Sequence, residues 1–384
     1  MFDNNEIVQI EPGILVWART RINMSISEVA QRLKKDEEVI ESWEKGLDLP
    51  TLAQLEKLSY QIYKIPLAVF FLAEPPVEPP INNQFRTIPS QEIALLPSGL
   101  MLKVREGQYF QEVLKELFNG KNPSTNPIFK RFKNITEANQ TVIAKEIREI
   151  LRISKKGQVN FKDTTDAFKY YREKLEENGI FVFQQTLKKF CRGYSLFDNE
   201  FPVIIINSSE ESDTGKNFTI FHELSHLLLN MGGITNEYSY HSHNQEEILC
   251  NRLASHILIA NDELLRNSMI IENKSLEWSE EILKLLAKDH KVSKEVVLRK
   301  LLDLKLTTQD FYRTKRKEWL SNPFKRKSKG GDFYRNKLSK LGYYYSRIIF
   351  NNLYNGRINQ YQASEYLTLK INQIPQIERL VFKT

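Results

Sequence analysis

Hydrophobic residues recur along this chain at spacings of three and four, which is the pattern of amphipathic helices. In the first 72 residues the pattern predicts a bundle of five short helices, near 12–22, 25–33, 36–45, 51–62 and 67–72. After a proline-rich linker, it predicts longer helices near 99–118, 136–153 and 163–178. The chain is therefore expected to be mostly helical.

Two segments have the apolar pattern of strands, and both precede a helix with unusual content. The strands are predicted at 179–183 and at the β-branched run 201–207. The helix is predicted at 217–230, contains no glycine or proline, and ends just before Gly232. Because its surface is apolar almost all round, it is expected to be buried.

Three ionisable side chains interrupt that apolar helix, namely His222, Glu223 and His226. Residues four apart lie one turn above each other, so the two imidazoles face one point and can bind one metal ion. Glu223 is turned roughly 100° from His222 on the helical period, which places it beside the metal, where a general base is needed. Ionisable groups in an apolar setting are costly without partners, so the sequence predicts a metal site.

A third ligand is needed for a tetrahedral zinc site with one open position. The next predicted helix, 246–259, offers Glu247, which we prefer as this ligand. Asn251 follows one helical turn later. It is expected to hydrogen-bond the outer nitrogen of a ligating histidine.

Other ligands for the third position stay open, because zinc binds imidazole and carboxylate alike. The alternatives are His243 and Glu246, and His241 lies in the same polar loop as His243. His256 lies half a helical turn out of phase with Glu247. It is expected to be a packed or capping residue.

The composition is that of a folded protein, with 41% hydrophobic and 27% charged residues. No stretch approaches the roughly 20 apolar residues of a membrane span, and the first residues lack the pattern of a signal peptide. The protein is therefore expected to be cytoplasmic. Its two cysteines, Cys191 and Cys250, cannot form a disulfide framework and are expected to be small buried residues.

Charge is distributed unevenly along the chain. Residues 1–72 carry 8 basic against 11 acidic side chains, a balance of −3, whereas residues 313–384 carry 16 against 4, a balance of +12. Because surface charge steers association, the two ends are expected to meet different partners.

The first sixty residues resemble the helix-turn-helix domain of phage repressors, the Cro/C1 or XRE type. The resemblance rests on Ala30, Leu33, Ile40, Glu44, Gly46, Pro50 and Thr51. Lys34 stands where that family usually has the glycine of the turn. The resemblance implies a domain that binds DNA through its third helix.

The chemistry of that third helix departs from the family pattern. Asp36, Glu37, Glu38 and Glu41 present four carboxylates where DNA offers phosphates. Lys34 and Lys35 offset part of the repulsion, and a carboxylate can accept a hydrogen bond from cytosine. These six residues are therefore candidates for contact with either DNA or a protein partner.

Residues 160–310 resemble the ImmA/IrrE family of metallopeptidases. The resemblance rests on the motifs at 179–182, 202–207, 218–227 and 247–254. Ser225 and Cys250 replace the usual glycine and alanine of the family, and the tail resembles longer members at 330–334 and 356–358. The resemblance implies cleavage of transcriptional repressors, often encoded beside the peptidase.

The resulting hypothesis for the mechanism assigns Zn²⁺ to His222, His226 and Glu247. Zinc activates a water molecule, and Glu223 takes its proton as the water attacks a peptide carbonyl. The strand at 201–207 is expected to bind the substrate as an added strand.

The rival hypothesis is a DNA-binding regulator or interaction scaffold whose zinc site is structural or vestigial. The basic runs at 313–317 and 325–329 favour contact with nucleic acid, although solvated charge runs are common. An intact general base favours the enzyme, because structural zinc sites usually close with four protein ligands.

Together these features predict an α+β, mostly helical fold, with a zincin-like peptidase domain around a small sheet. The predicted regions are a helix-turn-helix domain at 1–73, a linker and helical middle at 74–159, the peptidase domain at 160–310 and a basic helical region at 311–384. No membrane contact is expected.

Overall fold

The computed structural model describes residues 7–78, 81, 90–209, 213–235, 245–321 and 331–383. The fold is α+β and mostly helical, as predicted, with one small sheet. The chain divides into two compact units, an N-terminal unit of residues 1–109 and a C-terminal unit of residues 110–384. The four regions predicted above are a finer division and stay predictions.

The N-terminal unit is built from short helices, as the hydrophobic spacing predicts. Its helices are α1 (Pro12–Thr20), α2 (Ile26–Leu33), α3 (Glu37–Glu44), α4 (Leu52–Lys57), α5 (Ser90–Ala94) and α6 (Ser98–Leu117), which contains the division between the units. The predicted fourth helix continues beyond α4 as a π-helix, Leu58–Tyr63, and the predicted fifth is a 3₁₀-helix, Leu67–Phe71.

Local side-chain chemistry sets the limits of α2. At its start the Glu28 amide donates to Ser25 Oγ at 3.1 Å and the Ser25 amide donates to Glu28 Oε2 at 3.0 Å, a reciprocal cap. At its end Lys34 adopts a left-handed conformation with φ 58°. This is the position where the repressor pattern has glycine, because glycine adopts such a conformation without steric cost.

The C-terminal unit contains the remaining helices. They are α7 (Gln140–Ile150), α8 (Lys155–Asn160), α9 (Thr164–Glu177), α10 (Asp213–Leu228), α11 (Gln245–Leu258), α12 (Asn261–Leu265), α13 (Ser268–Glu272), α14 (Glu280–His290), α15 (Lys294–Asp303), α16 (Gln309–Ser321), α17 (Phe333–Leu341), α18 (Tyr343–Tyr354), α19 (Gln360–Tyr366) and α20 (Ile374–Phe382). Short 3₁₀-helices lie at Ile128–Lys130 and Ile371–Gln373.

The sheet of the C-terminal unit has four strands in the order β1-β3-β2-β4. They are β1 (Phe181–Gln185), β2 (Gly193–Leu196), β3 (Val203–Asn207) and β4 (Ile234–Thr235). β3 pairs parallel with β1 and antiparallel with β2, and β2 pairs antiparallel with β4. The first and third strands confirm the two predicted ones, while β2 and β4 were not predicted.

The central place of β3 corrects one prediction. The run 201–207 was expected to receive a substrate strand, but both edges of β3 are already occupied by β1 and β2. Its main-chain donors and acceptors are therefore used within the sheet. Among the described residues, β1 and β4 are the edge strands, so β4 is the edge on the side of β2.

Helix α10 is the buried helix that the sequence predicts. It contacts α9, α11, β2 and β3, so it lies between the sheet and other helices of the C-terminal unit. Phe221, Leu224 and Leu227 are fully buried, and the ring of Phe221 lies edge-on to that of Tyr171 with centroids 5.0 Å apart. The polar side chains of this helix are therefore held in a close-packed setting.

In the described part of the chain, no helix has the length and apolar character that crossing a membrane requires.

Candidate metal centre

The two histidines predicted as ligands meet on α10. His222 and His226 are both fully buried, and their Nε2 atoms are 3.1 Å apart. One helical turn separates the two residues, so the backbone alone brings the rings to the same side. The predicted convergence of the two imidazoles is therefore confirmed.

Helix α11 brings Glu247 to the same point. Glu247 Oε2 lies 3.3 Å from Nε2 of His222, and Oε1 lies 3.3 Å from Nε2 of His226. In the described part of the chain, these three residues are the only group of potential ligands whose donor atoms lie within 4.8 Å of one another. Glu247 thus lies beside both histidines, and its role as the third ligand stays a prediction.

The spacing of the donor atoms suits a tetrahedral ion. Bonds of about 2.0–2.2 Å to zinc at tetrahedral angles place neighbouring donors roughly 3.3–3.6 Å apart. The two Nε2 atoms are 3.1 Å apart, and each lies 3.3 Å from a different carboxylate oxygen of Glu247, which comes close to that value. Two imidazoles and one carboxylate are also a donor set that zinc accepts, with the fourth position left to a water or substrate.

The electrostatics of the cluster favour an ionised carboxylate. Burial raises the pKa of Glu247, but the hydrogen bonds from His222 and His226 outweigh that effect and hold the pKa well below its usual range. Glu247 therefore has the charge that a metal ligand requires.

The surroundings of His226 favour positive charge at the same point. Burial lowers the pKa of His226, but its contacts with Cys250 and Glu247 outweigh burial and raise the pKa well above its usual range. The lasting negative charge beside this ring is the carboxylate of Glu247, which a cation at this point would also meet.

Glu223 lies on the same helix and is fully buried, although it is not one of the three ligands. Its Oε2 accepts a hydrogen bond from Ser195 Oγ on β2, at 2.7 Å. The sequence reasoning missed Ser195. In the sequence, Ser195 is a single hydroxyl residue within the short run that forms β2. Its importance becomes apparent only once β2 is known to lie beside α10.

The outer nitrogen of His226 has a partner that was not predicted. Cys250 Sγ lies 3.6 Å from His226 Nδ1, and Cys250 is fully buried. Asn251, expected in this role, is also buried on α11. Its predicted hydrogen bond to a ligating histidine stays a prediction, but at His226 the contact is made by Cys250.

A glycine is required next to the cluster. A Cβ atom added to Gly233 would lie 2.7 Å from Cδ2 of His226, closer than side-chain carbons approach in proteins. The backbone just before β4 therefore packs directly on a ligand ring. Gly233 marks the place where the edge of the sheet meets the metal centre.

The alternative ligands are separated from the cluster or lie outside the described residues. Glu246 is exposed and is not part of it. His256 is buried with Nδ1 in contact with Lys300 Nζ and 3.2 Å from Asn261 Oδ1, which confirms it as a packed residue. His241 and His243 lie outside the described residues.

The residues proposed to contact DNA or a partner lie at the start of α3 and just before it. Five of them are exposed: Lys34, Lys35, Asp36, Glu37 and Glu38. Glu41 is half-buried and pairs with Lys45 at 2.7 Å. The cluster of acidic side chains is thus presented to solvent, and what it binds stays a prediction.

Comparison with known proteins adds one finding. No curated protein matches the chain. Residues 175–302 match the family model Peptidase_M78, the IrrE N-terminal-like domain. This stretch includes His222, Glu223, His226 and Glu247, so the match and the geometry point to the same residues. The similarity supports a metallopeptidase domain of the ImmA/IrrE family in this part of the chain.

Proposed function

We propose that this protein is a zinc-dependent endopeptidase that cleaves a protein substrate. The observation that carries the proposal is the buried triangle of His222, His226 and Glu247 with Glu223 on the same helix. Three ligands leave a tetrahedral ion one open position, which is the arrangement of a catalytic site rather than a structural one.

Each side chain has one task in this proposal. His222, His226 and Glu247 hold the zinc ion. When bound, zinc supplies Lewis acidity toward water and a peptide carbonyl. Glu223 takes the proton of the attacking water and delivers it to the leaving amine, since a carboxylate can accept and then donate a proton.

The sheet supplies a place for the substrate backbone. Within the described ranges β4 is an edge strand of the sheet, and Gly233 just before it packs on the ring of His226. A peptide that adds to this edge through main-chain hydrogen bonds would lie close to the metal centre. This edge replaces β3 as the proposed binding strand.

The substrate in this proposal is a transcriptional repressor, as the resemblance to the ImmA/IrrE family implies. The N-terminal unit, with the exposed residues that precede and begin α3, is proposed to bind either DNA or that substrate. Binding of DNA through Lys34 and Lys35 would weaken steeply with salt, because phosphate contacts release counterions. An electrophoretic shift series at rising salt, with both lysines changed to alanine as a comparison, distinguishes the two.

One experiment tests the enzymatic proposal. The purified protein is analysed for zinc and then incubated with the repressor encoded beside its gene. We expect one zinc per chain and one specific cut that a chelator abolishes. The variant Glu223→Gln is expected to keep its zinc and lose the cut, because the amide has the shape of the carboxylate but cannot accept the proton. Undiminished turnover of Glu223→Gln would contradict the mechanism, and a protein without zinc and without a cut would contradict the function.

A further inference from the structure

Ser195 occupies an unusual position for a serine. It lies in β2, whose four residues are all buried, and its own side chain is fully buried. A buried hydroxyl is unfavourable unless it is hydrogen-bonded. Ser195 Oγ has two such contacts, with Glu223 Oε2 at 2.7 Å and with the Gly233 amide nitrogen at 3.2 Å.

The direction of these hydrogen bonds follows from the chemistry of the groups. The Gly233 amide can only donate, so it takes a lone pair of Ser195 Oγ. The single hydroxyl proton of Ser195 is then directed to Glu223 Oε2, which accepts it. Hydroxyl-to-carboxylate bonds of this length are among the stronger hydrogen bonds of proteins.

The main chain fixes Ser195 relative to the metal centre. The Ser195 amide donates to the carbonyl of Gly233 at 2.9 Å, so the two residues are joined in both directions. Gly233 in turn packs on the ring of His226. The sheet therefore touches the carboxylate of Glu223 through Ser195 and a metal ligand through Gly233, whereas the ligands themselves come from α10 and α11.

We propose that Ser195 is a positioning residue, which holds the carboxylate of Glu223 in the orientation needed for proton transfer. This inference rests on the proposed peptidase function. A general base must come within about 2.6–3.2 Å of the proton that it takes, and a misplacement of about 1 Å can reduce the rate by about 100-fold. The glutamate side chain has three rotatable bonds, and Ser195 fixes its far end.

The first test separates positioning from binding. In Ser195→Ala we expect kcat to fall by about 10- to 100-fold, the range of a lost hydrogen bond to a charged group. KM and zinc content are expected to stay within about twofold, because the Ser195 hydroxyl is bonded to Glu223 and to the main-chain amide of Gly233 rather than to a ligand side chain. The matched control is Ser346→Ala, which removes another fully buried hydroxyl of the same unit, one that donates to the Gly342 carbonyl at 2.7 Å. The control is expected to keep kcat.

The second test does not depend on turnover. Thermal midpoints of the zinc-free protein are measured for Ser195→Ala, Glu223→Ala and the double variant. If the two side chains interact, the thermal midpoint of the double variant falls by clearly less than the sum of the two single falls. Each single variant already loses the contact between Ser195 and Glu223, so the sum includes that contact twice. The pair Ser346→Ala and Glu223→Ala is expected to be additive.

The outcomes distinguish this inference from the function on which it rests. A kcat of Ser195→Ala within about twofold of the parent, or additive losses of midpoint, would overturn the positioning role and leave the peptidase intact. A zinc-loaded parent protein that cuts no substrate would overturn the proposed function and the positioning role together. A fall in kcat with unchanged zinc content and non-additive midpoints supports the role.

Discussion

Helix α11 contributes to two buried polar clusters that differ in how their charges and lone pairs are satisfied. Near its start, Glu247 meets the imidazoles of His222 and His226, so the side-chain atoms of three potential ligands converge. Near its end, His256 meets the amino group of Lys300 and the side chain of Asn261, so donors and acceptors lie side by side. Both clusters are buried, but only the first brings three potential metal ligands together.

The comparison shows how a candidate metal site differs from a structural polar cluster. Three potential ligand atoms that converge in a buried place can bind one cation together, whereas His256 and Lys300 pair with each other. The pKa values agree with this difference. Glu247 is held ionised, but burial first, and then the charge of Lys300, lower the pKa of His256 to about 4 and keep it neutral.

The largest expected effect is a loss of metal from one cluster and not from the other. His222→Ala removes a ligand, so we expect zinc content to fall below about a tenth per chain and kcat/KM to fall by at least about 1,000-fold. His256→Ala is expected to keep zinc and activity but to lose about 1–3 kcal/mol of unfolding free energy, because Lys300 loses a buried partner. Metal analysis and urea unfolding check both. Loss of zinc from His256→Ala would contradict the distinction between the two clusters.

The next effect sharpens the assignment of the third ligand. Glu247→Gln removes the charge of the ligand, so we expect zinc affinity to fall by about 100-fold, measured by competition with a chelator. Glu246→Gln alters the exposed neighbour on the same helix and is expected to change the affinity by less than about twofold. The reverse result would make Glu246 the ligand and contradict the geometry of the centre.

Lys300 of the second cluster is expected to make the free energy of unfolding depend on pH. Burial lowers the pKa of Lys300 to about 7, against about 10.4 for an exposed lysine. Between these values the unfolded chain binds a proton that the folded chain does not, so the contribution of Lys300 to stability rises with pH in this window and is least below pH 7.

The variant Lys300→Met isolates that effect, because methionine does not titrate. The unfolding free energy of the parent minus that of the variant is expected to rise by about 1–2 kcal/mol from pH 7 to pH 8.5. Urea unfolding at several pH values measures it. A difference that stays constant across this range would mean that Lys300 keeps its ordinary pKa.

The smallest expected effect concerns the outer contact of His226. Cys250→Ala removes the sulfur near Nδ1, and we expect zinc affinity to fall by up to about 10-fold, the low end for a residue that supports a ligand. Cys191→Ala, at another buried cysteine of the same unit, is the control. Equal affinities of the parent and Cys250→Ala would show that the contact does not support the ligand.

Much of the metal centre could be predicted because its parts are local. His222, Glu223 and His226 lie within one and a half turns of one helix, and helical geometry fixes their relative directions. Glu247 was harder, since it lies on another helix beyond a polar loop. The sequence still identified it, because it lies one turn before Asn251 near the start of a second apolar helix. The structure brings it to the two histidines.

The predictions that failed depend on which strands are neighbours. The run 201–207 was recognised as a strand, but its central place in the sheet follows from the pairing with β1 and β2. β2 and β4 have only four and two residues, too short for a periodic pattern to be recognised. Ser195 and Gly233 were missed for the same reason.

The sequence by itself determined the helical character of the chain, the buried helix and the two histidines and carboxylate on it, because these depend on spacings within one element. Only the tertiary structure decided that β3 is a central strand between β1 and β2, that Ser195 meets Glu223, and that Cys250 meets the outer nitrogen of His226. Those contacts join residues from different elements, and their distances are set by how the sheet packs on α10 and α11 rather than by any local pattern.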